Sequence, residues 1–374
     1  MDGILHSSLL NFKRELQVAI GIVKGKSTPF EMSIFKQWLI QVYLDMETDL
    51  YQLEYLIGLR EPDLHEDVFS NFSALLNKFR FISTKYLPAV YRNHENDLLS
   101  LKLLSWLHGK HKQTKDQPFL IQDGNFSILP AVGLPISYYI PVVSQHSLLF
   151  LPLFFHEIGH YFYQAHADEM DDLVKQLQSK LDGILQPAFQ SNSQQAREQA
   201  DKSKRIVETW YEWAQELFCD ATGLEIGGRT YLKSFSYFLR MQGQTNLQLP
   251  ERDLANSSHP VSWLRIKFLI DRARKMGLGN DADELEKEWN TIAQTLKISE
   301  EYFGYFSPKY YDSIMETIDC MIEEASPINF KDYLNKGGKT TNFIETIHDA
   351  WEKFENSPDD FDQWESSAIR SMVK

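Results

Sequence analysis

Residues 156–166 read HEIGHYFYQAH. Two histidines four apart, with a glutamate after the first, constrain this chain more than any other stretch. On an α-helix, positions i and i+4 lie one above the other on a single face. His156 and His160 therefore project together, at the spacing of two ligands of a tetrahedral zinc ion. Glu157, beside His156, can reach a zinc-bound water and deprotonate it as general base.

Two histidines do not complete a metal site. His166 is close in sequence, and the pattern H-E-x-x-H-x-x-Y-x-x-H is one residue from a longer zinc motif with Gly at the position of Tyr163. Six residues beyond His160 is about 240° around a continuing helix, which points His166 elsewhere. Glycine lets a chain leave the helix and swing the last histidine back; Tyr163 does not. His166 reads as a helix residue outside the site.

The alternative lies downstream, in ETWYEWAQELFCDATGLEIGG (208–228). Glu212, Glu216 and Asp220 stack along one stripe of one helix, beside an apolar face with Trp213, Leu217 and Leu224. A buried acidic stripe is expensive unless positive charge compensates it. Zinc is such a charge. Glu216 can ligate it while Asp220 accepts a hydrogen bond from the far nitrogen of a ligand histidine. Glu212, one turn earlier, is an alternative ligand. Further on, SSHPVSWLRI (257–266) supplies His259 and Arg265. An imidazole near zinc can donate to an oxyanion, and a guanidinium suits a bidentate contact with Asp220 or Glu212.

In this order, HEIGH, Glu216-x-x-x-Asp220 and His259-Pro260-x-x-x-x-Arg265 resemble the gluzincin metallopeptidases. The likeness is closest to the branch of the CAAX prenyl endopeptidases, the bacterial heat-shock membrane protease and their soluble relatives. It covers roughly residues 156–272. The resemblance implies zinc held by His156, His160 and Glu216, with Glu157 as base. It implies Asp220 orienting a ligand histidine, His259 assisting the transition state, and Arg265 holding the site together. The expected function is zinc-dependent hydrolysis of peptide bonds in a protein substrate. The reading kept beside it is a non-hydrolytic zinc-binding protein, regulatory or sensing, whose helical flanks bind a partner. Retention of Glu157 favours hydrolysis, because a structural site needs no base.

The rest of the chain sets the frame. Residues 4–115 and 281–374 show apolar residues at helical spacing. Short β-rich runs punctuated by Gly and Pro fill 116–145. The expected fold is mainly α (α+β): a zincin-like core with a small sheet at 116–277, a helical domain at 1–115 and a helical region at 278–374. ISYYIPVV (136–143) is the candidate edge strand for extended substrate. Loops are expected at 186–196 and 243–258, and a turn at 335–338. A net charge of −14 argues against nucleic acid as a partner. The apolar run at 147–155, which opens on Ser147, is too short to span a bilayer. Two cysteines, Cys219 and Cys320, suit reduced thiols in the cytoplasm rather than a disulfide framework.

Overall fold

The computed structural model describes residues 2–59, 61–92, 94–131, 133–185, 194–242, 247, 249–299, 301–334 and 343–374. It is mainly helical, with one small three-stranded sheet. The turn expected at 335–338 lies outside the described residues. So do residues 186–193 of the expected break and residues 243–246 and 248 of the expected loop. Contacts divide the chain into two compact units, rather than along the 115/116 and 277/278 lines drawn from sequence.

The first unit takes residues 1–109, 114–125 and 133–145. Its helices are α1 (Asp2–Gly25), α2 (Ser33–Gly58), α3 (His65–Lys85), α4 (Leu87–Tyr91) and α5 (Leu98–Lys110). Along α2 the buried residues are Phe35, Leu39, Tyr43, Met46, Leu50, Leu53 and Ile57. The steps of three and four form an apolar seam of heptad type. Leu5, Leu9, Phe12, Leu16 and Ala19 repeat it on α1, and Val68, Phe72, Leu75, Phe79 and Ile82 on α3. The seams meet at Phe12, edge-on to Phe72 and Phe79 at 5.9 and 5.1 Å between ring centres.

The strands are β1 (Phe119–Asp123), β2 (Ser127–Leu129) and β3 (Ile136–Ile140), in the sheet order β1-β3-β2. β1 and β3 run parallel, with Phe119 opposite Ile136 and Asp123 opposite Ile140. The edge-strand expectation for 136–143 is therefore corrected: β3 is the middle strand. Its residues Ile136, Ser137, Tyr138 and Ile140 are buried, as near-continuous burial of a central strand requires.

The second unit takes residues 110–113, 126–132 and 146–374. Its helices are α6 (Leu153–Ala165), α7 (Ala167–Leu185), α8 (Gln194–Gly227), α9 (Arg229–Met241) and α10 (Glu251–Leu254). α11 (Ser262–Lys275), α12 (Gly279–Leu296), α13 (Pro308–Ala325), α14 (Phe343–Asn356) and α15 (Phe361–Val373) follow. α10 is one turn of helix inside the stretch expected as loop; Pro250 precedes it, with its fixed φ set for helix entry. The region after 277 is not separate: α13 packs on α7 and α8, α12 on α11, and α14 on α9.

Two glycines set the closeness of the centre. A β-carbon on Gly159 of α6 would lie 2.9 Å from the Cys219 Cα on α8, so only glycine lets these backbones meet. A β-carbon on Gly223 of α8 would lie 2.5 Å from the Tyr231 ring. The run before α6 is tied at its start, where the Leu148 N–H donates to Glu365 Oε1 of α15 at 2.6 Å. Pro152 precedes the first residue of α6 with φ −59°. No described helix is long and apolar enough to cross a membrane.

Candidate metal centre

HEIGH lies inside α6, as its spacing requires, and Glu216 and Asp220 lie on α8. His156 and Glu157 are buried, and the His160 side chain keeps a quarter of its surface exposed. The two rings face the Glu216 carboxylate. His156 Nε2 is 3.4 Å from Glu216 Oε2, and His160 Nε2 is 3.6 Å from Glu216 Oε1. These distances exceed ordinary N–H···O bonds of about 2.7–3.2 Å. They match the edge of a zinc tetrahedron, about 3.3–3.6 Å for bonds of about 2.0–2.2 Å. Glu216 Oε2 is buried and makes no hydrogen bond. The Arg265 guanidinium stands 3.3 Å from it without a hydrogen bond, and a metal cation between the carboxylate and the two rings would supply the partner a buried oxygen needs. The donor set of two imidazoles and one carboxylate fits zinc with an open fourth position.

Asp220 holds this arrangement from behind. Its Oδ1 lies 2.9 Å from His156 Nδ1, off the line of an ideal hydrogen bond, and leaves Nε2 to face Glu216. Arg265 of α11 donates to both Asp220 oxygens, Nε to Oδ2 and Nη2 to Oδ1, each at 2.7 Å. The Tyr231 hydroxyl of α9 donates to Asp220 Oδ1 at 3.0 Å. Arg265 Nη2 is also 3.3 Å from Glu216 Oε2. Phe235, one turn after Tyr231, stacks on Tyr231 and on His156 and lies 4.7 Å below the Arg265 guanidinium.

The charges follow from this packing. Burial raises the Glu157 carboxyl to about 7, against the pull of His156. Burial disfavours charge on His156, but Asp220 and Glu216 outweigh it and raise the ring to about 10. His160 falls to about 4, chiefly from burial and then from its charged neighbour His156. Burial would also raise Glu216, yet His156 and Arg265 hold it well below the usual carboxylate range. Asp220 is lowered against burial by Arg265 and His156.

The other expected residues are placed as follows. His259 lies on the segment before α11, outside any helix, with Nε2 3.4 Å from Glu216 Oε1. Glu212 is exposed on α8 and takes no part in the cluster. That corrects the alternative of Glu212 as a ligand: the stripe turns from buried to exposed within one helical turn. His166 ends α6, and its Nδ1 meets Glu324 of α13 at 3.1 Å.

Tyr231, Phe235 and Cys219 escaped the sequence reading. The pair Tyr231 and Phe235, four apart on the helix after Asp220, is the one signal that could have found the aromatic support. Cys219 is buried behind the site, and its sulfur lies within 4.8 Å of a nitrogen of each motif histidine. Burial pushes its thiol well above the usual range. His348, Asp349 and Glu352 of α14 also cluster, with the two acids exposed. No protein-family model, curated protein or solved structure matches this chain.

Proposed function

We propose that this chain is a zinc metalloendopeptidase of gluzincin type, resembling the branch of the CAAX prenyl endopeptidases and the heat-shock membrane protease. One observation carries the reading: the Nε2 atoms of His156 and His160 converge on the buried Glu216 carboxylate at tetrahedral-edge distances, its Oε2 making no hydrogen bond, with Glu157 beside them. His156, His160 and Glu216 would hold the zinc, which when bound would supply Lewis acidity toward a scissile carbonyl and a water. Glu157, whose carboxyl burial raises, takes the proton of the attacking water and passes it to the leaving amine. His259 faces the cluster from the solvent side and donates to the oxyanion. Asp220 fixes the His156 tautomer, and Arg265, Tyr231 and Phe235 fix Asp220 and the ring.

The substrate is a protein or peptide, and the helices of the first unit are the surface we assign to a regulatory partner. Two free cysteines support a reducing compartment, and the cytoplasm is the location we propose. The test is metal content and cleavage together. Wild type and Glu157→Gln should each carry about one zinc per chain, and only wild type should cleave an unfolded protein such as casein. Glu216→Ala should lose the metal and Cys219→Ala should keep it. Loss of zinc from Cys219→Ala alone would move the third ligand from Glu216 to the thiolate. A wild type that takes up no metal would end the peptidase reading.

A further inference from the structure

Resting on the zinc reading, we propose that His259 is a fourth metal ligand that closes the site at rest and leaves it for turnover. Its Nε2 is 3.4 Å from Glu216 Oε1, on the same carboxylate and within the same range of distances as His156 and His160. His160 and His259 thus stand about one tetrahedral edge from Glu216 Oε1, and His156 the same distance from Oε2, within about 3.3–3.6 Å.

The ring is held as ligand histidines are held. Its Nδ1 engages the Ser258 hydroxyl at 2.8 Å, which leaves Nε2 for the cluster. A partner on the far nitrogen fixes tautomer and orientation. The backbone is anchored too: Ser257 Oγ donates to the His259 carbonyl at 2.7 Å. The buried Trp213 indole donates to the Ser257 carbonyl at 2.9 Å. Trp213 lies on α8, one turn before Glu216, so the segment that carries His259 hangs from the helix that carries the carboxylate.

His259 nevertheless differs from the other three. Its side chain is 55% exposed, against 8% for His156, 25% for His160 and 8% for Glu216. It is the one member of the cluster outside a helix. A site with four protein ligands is closed, and hydrolysis needs a position for water. Exchange is simple in atoms: one bond to Nε2 breaks as one to a water oxygen forms, with no redox change. The freed Nε2 takes up a proton from solvent, and its new N–H then stands beside the open position to meet the oxyanion, while Nδ1 stays with Ser258. An extended peptide entering from the solvent side is the agent that displaces it.

The test reads the metal, not turnover. Zinc X-ray absorption on the wild type should count three imidazoles; two would overturn the closure. Chelator competition should show His259→Ala binding zinc more weakly than the roughly 10–100-fold that loss of an outer partner costs; equal affinity would overturn it. Ser258→Ala, which keeps the imidazole, should weaken zinc within that smaller range. On cobalt-substituted protein, azide should shift the visible spectrum of His259→Ala at concentrations that leave wild type unmoved. An equal shift in both speaks against closure. Wild type that binds neither metal overturns the zinc reading itself. Metal held by two imidazoles and Glu216 sinks only the fourth ligand.

Discussion

Glu216 is the residue on which the site turns, because each of its oxygens answers two cations or rings. Oε1 faces His160 and His259, and Oε2 faces His156 and Arg265. Without metal, the protons arrange themselves around it, and stability should depend on pH in a definite sense. His156 is raised from 6.5 to about 10, so its contribution is whole below pH 6.5 and is lost as pH climbs through about 10. Glu157, raised from 4.5 to about 7, works in the same direction at lower pH. Metal-free protein should therefore unfold at lower urea at about pH 9.5 than at about pH 7.5. A flat profile would contradict the proton on His156. Zinc needs that nitrogen bare, so uptake near pH 8 should release about one proton per metal, read by calorimetry in two buffers of different ionisation enthalpy.

At the scale of elements, the site is a meeting of α6, α8, α9 and α11, and its strength lies in how closely they meet. Gly159→Ala should cost about 1–3 kcal/mol, because the new methyl meets the Cys219 backbone at 2.9 Å and has no side chain to push aside. Arg265→Met should cost about 3–5 kcal/mol, since it leaves the buried Asp220 carboxylate without its main cation. Denaturant melts of both variants, without metal, check these values. The same scale explains what the sequence disclosed. His156, Glu157, His160, Glu216 and Asp220 were legible because a four-residue step on one helix is a local property. That Glu212 turns outward was not, since exposure depends on what packs against α8. Tyr231 and Phe235 reach the site from another helix, and no spacing rule links them to it. Two or three short strands showed through Gly and Pro, but strand order is a matter of pairing between distant segments. Hence 136–143 was expected at an edge and stands in the middle.

For the whole molecule, the proposed zinc is also a fastening. Its ligands come from residues 156 to 216, and from 259 when the site is closed, so one ion spans a large part of the second unit. A ligand bound only by the folded state stabilises by about 4 kcal/mol at a thousandfold excess over its dissociation constant. A chelator should lower the melting temperature of wild type and leave Glu216→Ala unmoved; equal shifts in both would count against the site. The bond from Leu148 N–H to Glu365 adds an order in time. A growing chain makes both motif histidines and Glu216 long before residue 365 exists. Until then the run that leads into α6 lacks its tie to α15. During synthesis the candidate ligands are thus present before this tie can form, and the run that leads into α6 gains it only once α15 has been made.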